Sequence, residues 1–374
     1  MREREIFKRG GPVAAAVLAL CLSTSAVRVP EPTIGFNPPS YVCYRAAGPV
    51  VVDGNLDEAV WEKADWSDRF VDITGARGTP RPRYRTMVKM LWDDAYFYVG
   101  AYLEEPNVWA TLTERDSIIY NDNDFEVFID PDGDTHNYFE LEINALNAVW
   151  DLFLVNPYRD GRPANIHAWD IQGLKSAVLV NGTLNDPKDK DRSWFVELAF
   201  PWDVLQEAAD PASPPGPGDF WRVNFSRVEY RTAVADGKIV KAADPATGRP
   251  YREDNWVWSP TGLVNIHYPE LWGFVQFSGH IAGRGRDRFS LPPAEKAKWA
   301  LRLAYYREWA HFEEKGSFTS DWAALGLRER DLKVKGFAFP PVLVAAGGTF
   351  EASYSAEDGT VWRIRDDGRV RSGR

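Results

Sequence analysis

The chain has 374 residues, 44% of them hydrophobic and 14% aromatic, with a formal net charge of −10. Length and apolar content suffice for one large domain plus an appendage, and the acidic balance excludes a nucleic-acid partner, whose phosphates require a basic face. Cys21 and Cys43 are the two cysteines, too few for a disulfide framework or a cysteine metal site.

Arg2, Arg4, Lys8 and Arg9 precede an apolar run from Val13 to Leu22, followed by Ser23-Thr24-Ser25-Ala26. This is the layout of a secretory signal. The run is about ten residues, whereas a membrane-spanning helix needs roughly 20. Cleavage after Ala26 is therefore expected, with no transmembrane segment afterwards and an exported product that is periplasmic, outer-surface or extracellular. Removal of Cys21 leaves Cys43 as the single thiol. Residues 27–48 are proline-rich and without periodicity, an extended leader.

From residue 49 the pattern becomes that of a strand-rich domain. Leu56 to Trp61 reads as one helical turn. Thr86 to Trp92 and Tyr96 to Leu103 flank Asp93-Asp94-Ala95, a predicted hairpin. In the next two strands the alternation has period two: Phe125, Val127 and Ile129 face inward with Glu126 outward, and Phe139, Leu141 and Ile143 face inward with Glu140, Glu142 and Asn144 outward. Ala148 to Val155, Lys175 to Val180, Trp194 to Phe200, Trp221 to Glu229 and Trp272 to Ser278 continue the series. Short strands punctuated by Gly, Pro, Asn and Asp predict a mainly β protein, an antiparallel, jelly-roll-like β-sandwich over 49–279. Residues 280–293 form a linker, and 294–374 a small α+β unit with an expected helix over Ala294 to Lys315. Its apolar stripe is Trp299, Leu303, Tyr306 and Ala310. This unit is a candidate surface for a protein partner.

Several motifs occur in series. Asp53-Gly54-x-Leu56-Asp57 leads to Trp61, Val88-Lys89-Met90-Leu91-Trp92-Asp93 to Tyr96 and Tyr98, and Asp124-x-Glu126-Val127-Phe128-Ile129-Asp130 to Tyr138-Phe139-Glu140. Trp194-Phe195-Val196-Glu197, Trp256-x-Trp258-Ser259 and Trp272-Gly273 complete them. In this order they resemble family 9 carbohydrate-binding modules over about Pro49 to Gly279. The resemblance implies a non-catalytic β-sandwich that grips poly- or oligosaccharide, commonly joined to polysaccharide-degrading enzymes, with structural calcium. It places Tyr120 and the Ile266-His267 stretch where better-known members have a tryptophan pair. It also puts the family's sugar-bonding glutamate on Glu126 and an arginine position near Glu142.

A sugar offers a weakly apolar face and a rim of hydroxyls, so a site needs flat rings and polar groups together. Tyr120 and Trp150, at strand ends, are the candidate platforms. Glu126, Glu142 and Asn144 are the candidate hydroxyl partners, Arg227 a rim cation, and Trp256, Trp258 and His267 candidates from a closing loop. The competing readings are a solvated outer sheet face for the polar residues and core packing for the tryptophans. Asp130, Asp132 and Asp134, alternating around Gly133, resemble the start of a calcium loop, but the later bidentate glutamate is missing, and a plain hairpin turn competes. Two alternatives belong to other classes. A glycoside hydrolase would use Glu126 and Glu142 as its carboxyl pair; a haem-binding sandwich would need an axial methionine, and only Met87 and Met90 follow the start residue.

Overall fold

A computed structural model describes residues 29–160, 164–209, 213–346 and 348–373. The expected signal over 1–26, Cys21 included, lies outside the described residues. The strands in chain order are β1 (Ser40–Arg45), β2 (Val71–Asp72), β3 (Thr86–Trp92), β4 (Tyr96–Glu104), β5 (Asp124–Asp130), β6 (Tyr138–Asn144), β7 (Val149–Leu154), β8 (Asn165–Ile166), β9 (Lys175–Asn181) and β10 (Ser193–Pro201). They continue with β11 (Phe220–Glu229), β12 (Thr232–Ala235), β13 (Lys238–Lys241), β14 (Asp254–Val257) and β15 (Gly273–Ile281). The short helix α1 (Ala59–Glu62) falls at the expected turn, and α2 (Trp202–Leu205) follows β10.

The strands follow one hydrogen-bonded path, β8-β7-β6-β5-β11-β15-β1-β3-β4-β10-β9, with β14 branching from β11 to β2. The path folds over one main core, with smaller clusters on its outer faces. Phe125, Val127, Phe139, Leu141 and Ile143 from one half share that core with Val88, Met90, Val99, Leu103, Val196 and Leu198 from the other. This is the sandwich that strand alternation predicts. The β3–β4 hairpin closes as expected because the Asp93 carboxylate accepts from the Ala95 and Tyr96 amides at 2.8 and 2.9 Å. One feature departs from an all-antiparallel sheet: β1 pairs in parallel with both β15 and β3. It arises inside the segment read as a leader, and Cys43 is buried in the core there.

The C-terminal unit consists of α3 (Pro293–Lys315), α4 (Glu329–Leu332) and the antiparallel sheet β16 (Val342–Ala346), β17 (Thr349–Ser355), β18 (Val361–Arg365) and β19 (Val370–Gly373). Gly316 ends α3 in the left-handed conformation at φ 74°, its N–H bonding the Phe312 carbonyl. The buried face of α3 is Ala297, Ala300, Leu301, Ala304, Tyr305 and Tyr306, together with Arg302 and Glu308. The expected stripe is therefore rotated. Only Tyr306 of its four residues is fully covered, since the helix buries charges that an apolar pattern does not count.

Those charges dock the unit onto the sandwich. Arg159 bonds Glu270 at 2.9 Å, and its guanidinium lies 4.1 Å from the Tyr268 ring centre. Arg302 approaches Glu270 at 3.5 Å, and Glu295 receives Arg222 at 2.8 Å and Lys298 at 2.9 Å. Tyr306 bonds Glu270 and Tyr305 bonds Asp160. Burial opposes ionisation of Glu270, yet Arg159 and Arg302 hold its carboxyl below the usual range. The stretch before β1 joins this seam as well: Val29 is buried in it and Phe36 stacks on Trp299 at 5.3 Å.

Candidate functional site

On the outer face of β5, β6 and β7 lies a cleft of about 560 Å³, within the usual range of ligand pockets. Strand parity builds its floor. With Phe125 and Val127 committed to the core, Glu126 must point outward; on β6 the same rule turns out Glu140 and Glu142. Register then brings them together, because Glu126 is opposite Glu142 across β5–β6 and opposite Ser226 across β5–β11. Glu142 in turn faces Trp150 across β6–β7. Tyr120, from the loop before β5, is 43% exposed and lies 6.4 Å from Trp150. His167 stacks on the other side of Trp150 at 5.6 Å, with 7° between the planes. Tyr158 stands edge-on to His267 at 4.5 Å. Arg252, Glu253, Asn255, Val264 and Ile266 complete the far wall.

The floor is acidic and largely buried. Glu126 and Glu140 are each 6% exposed and Glu142 2%. Burial pushes the Glu126 carboxyl up to about 7, although the Ser226 hydroxyl bonds it. Burial, reinforced by Glu126, raises Glu140 and Glu142 well above the ordinary carboxylate range. Asp124, just below on β5, is raised for the same two reasons. The amides of Tyr120 and Val228 donate to Glu142 and Asp124 at 2.9 and 3.1 Å. Asp124 Oδ2 and Glu140 Oε2 have no hydrogen-bond partner. Arg252, exposed at the rim, is the only lysine or arginine among the described residues lining the cleft. His267 stays neutral: burial and Arg159 bring it down to about 3, and its Nδ1 lies 2.9 Å from the Tyr138 hydroxyl.

The cleft thus gathers Tyr120, Glu126, Glu142, Trp150 and His267 from the candidate residues. Four others lie elsewhere. Asn144 is fully buried, its amide donating to the Leu112 carbonyl and to Asp122, and its oxygen accepting from the Leu146 and Ala148 amides. Arg227 follows Ser226 on β11 and so points to the opposite face, where it bonds Glu105 at 2.7 Å and Glu229 at 2.8 Å. Trp256 and Trp258 belong to the sandwich core. Met90 is also core, and neither it nor Met87 borders the cleft. Glu140, Tyr158 and His167 join the wall without having been singled out. Parity already contained Glu140, whereas Tyr158 and His167 sit in an irregular connection that carries no periodic signal.

Among the described residues, three acidic groups each present oxygens within 4.8 Å of one another. In the β5–β6 turn, Asp130 accepts the Gly133 and Thr135 amides at 3.0 Å each, Asp132 accepts the Asp134 amide, and Asp134 accepts the His136 amide and pairs with Arg369. Burial and mutual repulsion still raise Asp130 and Asp132, the latter to about 6, so this oxygen set suits a hard cation such as calcium. Asp116, Asp151 and Asp170 are bridged by Arg115. The third group is Asp124, Glu126 and Glu142, beneath the cleft.

Comparison with known proteins places the cleft floor in a matched segment. The family described as "Carbohydrate family 9 binding domain-like" matches residues 52–215, the family the serial motifs resemble. Exoglucanase XynX of Acetivibrio thermocellus is 27% identical over 164 residues, 44% of this chain and 12% of that protein. Endo-1,4-beta-xylanase A of Thermoanaerobacterium saccharolyticum is 26% identical over 155 residues, 41% of this chain and 11% of that protein. This chain therefore spans about a tenth of the length of these curated relatives. Among solved structures, a family 9 carbohydrate-binding module from Caldicellulosiruptor kristjanssonii in complex with cellotriose is 17% identical, with a TM-score of 0.40 over 68% of this chain and 98% of that one.

Proposed function

We propose that this chain, family 9-like over residues 52–215, is an exported, non-catalytic protein that binds poly- or oligosaccharide in the Trp150 cleft and supports polysaccharide degradation or uptake. The observation that carries the reading is one cleft lined both by aromatic rings (Tyr120, Trp150, Tyr158) and by carboxylates (Glu126, Glu140, Glu142), the pairing that a sugar's face and hydroxyl rim require. Structural calcium, implied by the family resemblance, would be held by Asp130, Asp132 and Asp134 and would tie the β5–β6 turn.

The test is a glycan array followed by calorimetric titration with soluble β-glucan and xylan oligosaccharides. Saturable binding is expected. Trp150→Ala and Glu126→Gln should each weaken it tenfold or more, about 1.4 kcal/mol, while leaving the fold intact by circular dichroism. Absence of binding to every glycan would overturn the reading.

A second reading, hydrolysis, draws on the raised carboxyl of Glu126 beside other carboxylates, the arrangement of a general acid and its partner. Release of reducing sugar by the purified chain, abolished by Glu126→Gln, would favour it over binding.

A further inference from the structure

We infer that the cleft floor is a divalent-cation site, made by Asp124, Glu126 and Glu142, whose outward positions are open to a pair of ligand hydroxyls. The second half of this inference rests on the glycan reading; the first does not.

Three observations carry it. The three carboxylates present oxygens within 4.8 Å of one another, a separation that one ion with 2.3–2.6 Å bonds to oxygen can span. Like charges this close and this buried repel strongly unless protonated or bridged by a cation. The surroundings supply no such charge: among the described residues lining the cleft the one lysine or arginine is Arg252, exposed at the rim. Independently of the trio, Glu140 is 94% buried by its 6% exposure and lines the same cleft, and its Oε2 has no partner. This unused acceptor fits a water or hydroxyl held by the ion.

The molecule's other two acidic groups behave differently. Asp116, Asp151 and Asp170 have Arg115 between them, and Asp134 of the turn group has Arg369. The cleft group alone of the three has no arginine or lysine bonded to any member. Three protein oxygens leave three to five positions of a six- to eight-coordinate calcium unfilled. These positions would be taken by water or, on the glycan reading, by two neighbouring hydroxyls of a sugar whose ring rests on the aromatic wall.

The full chain is stripped with a chelator and titrated with Ca2+ by calorimetry and with Tb3+ by luminescence excited through tryptophan, Trp150 being the near antenna. Because the β5–β6 turn also suits calcium, the variants separate the two. Glu142→Gln and Asp124→Asn should each weaken one binding phase at least tenfold, and Asp132→Asn should leave that phase unchanged. Melting curves of each variant without metal show that it is folded; if Glu142→Gln is not, Glu126→Gln replaces it. With metal present, the oligosaccharide should bind at least tenfold tighter than in chelator. The inference is overturned if no metal binds up to about 10 mM, above the range of weak extracellular calcium modules, or if all metal binding is lost in Asp132→Asn and kept in Glu142→Gln. It is overturned equally if a glucosamine oligomer binds the metal-free cleft and calcium does not. Sugar binding of equal strength in chelator removes the bridging half and leaves the glycan reading standing, while metal binding with no sugar binding sinks the glycan reading and leaves the ion site.

Discussion

At the seam between the sandwich and α3, Arg159, Arg222 and Arg302 reach Asp160, Glu270 and Glu295; beneath the cleft, Asp124, Glu126, Glu140 and Glu142 face one another with no arginine or lysine among them. In both regions the charged side chains are largely buried, and desolvation penalises ions in each. At the seam opposite charges offset that penalty, and the Glu270 and Glu295 carboxyls are held below their usual range. Burial still raises Asp160 there, but in the cleft like charges add to the penalty, and the carboxyls of Glu140 and Glu142 rise well above the ordinary range. Buried charge that is compensated within the chain fastens one part to another, whereas a cluster of like buried charges lining a cleft leaves groups for a ligand to engage.

The largest test of this contrast is at the seam. Glu270→Ala strands Arg159 and Arg302 and should cost about 3–5 kcal/mol in denaturant unfolding, as removal of one partner from a buried pair does. A loss below about 1 kcal/mol would mean that the seam is not held by charge. A comparable effect is expected at Trp256, where truncation to alanine in the core should cost about 3–5 kcal/mol. Trp150 is also buried, packed with Phe128, Leu152 and Trp272, but it borders the cleft, so Trp150→Ala should lose ligand affinity as well as stability, while Trp256→Ala should leave affinity unchanged; equal affinity losses would erase the distinction.

The cleft should respond to pH in the opposite sense to a paired carboxylate. Glu126 has a folded-state pKa of about 7 against an ordinary 4.5, so its contribution is full below about 4.5 and is lost as pH rises through 7. In chelator, the Glu126 contribution should fall between about pH 4.5 and 7 and level off above 7; His136 and His267, both lowered to about 3 from 6.5, act in the opposite sense in that window, so the effect is read as the difference between wild type and Glu126→Gln. Glu308, also raised to about 7, adds in the same direction. Glu126→Gln should therefore flatten the slope and stabilise the metal-free protein at pH 8 by up to about 3 kcal/mol. An unchanged slope would mean that Glu126 is compensated after all. The smallest effect belongs to Arg252→Ala: an exposed rim cation should move stability by less than about 0.5 kcal/mol and affinity for a neutral sugar by less than threefold, while a large loss would place the missing counter-charge at the rim.

Much of this was legible in the sequence, and the boundary of legibility has a physical reason. Period-two alternation gave β5 and β6, the face that Glu126 and Glu142 share, and the core that opposes it. Alternation reports the side of a strand and not the depth, so it could not distinguish a solvated face from the largely buried floor of the cleft. Applied further, it would have excluded Arg227, which follows the cleft-facing Ser226 and must point away. Trp256 and Trp258 were ambiguous because an indole suits a core and a sugar equally. Tyr158 and His167 reach the cleft from an irregular connection, where position depends on long-range packing that no local pattern records. The same limit explains α3, whose buried Arg302 and Glu308 find partners or neighbours only in the folded chain.

The position of β1 also constrains when the protein can fold. Residues 40–45 lie between β15, residues 273–281, and β3, so one of the earliest strands to leave a ribosome or an export channel waits for more than two hundred further residues before its second neighbour exists. Such distant pairing slows folding, and until β15 arrives one edge of β1 stays open to other chains. A fragment cut at residue 215, where the family match ends, would keep the cleft's carboxylates but lack β11 and β15, the strands that seal it. It should aggregate rather than serve as a minimal binding domain.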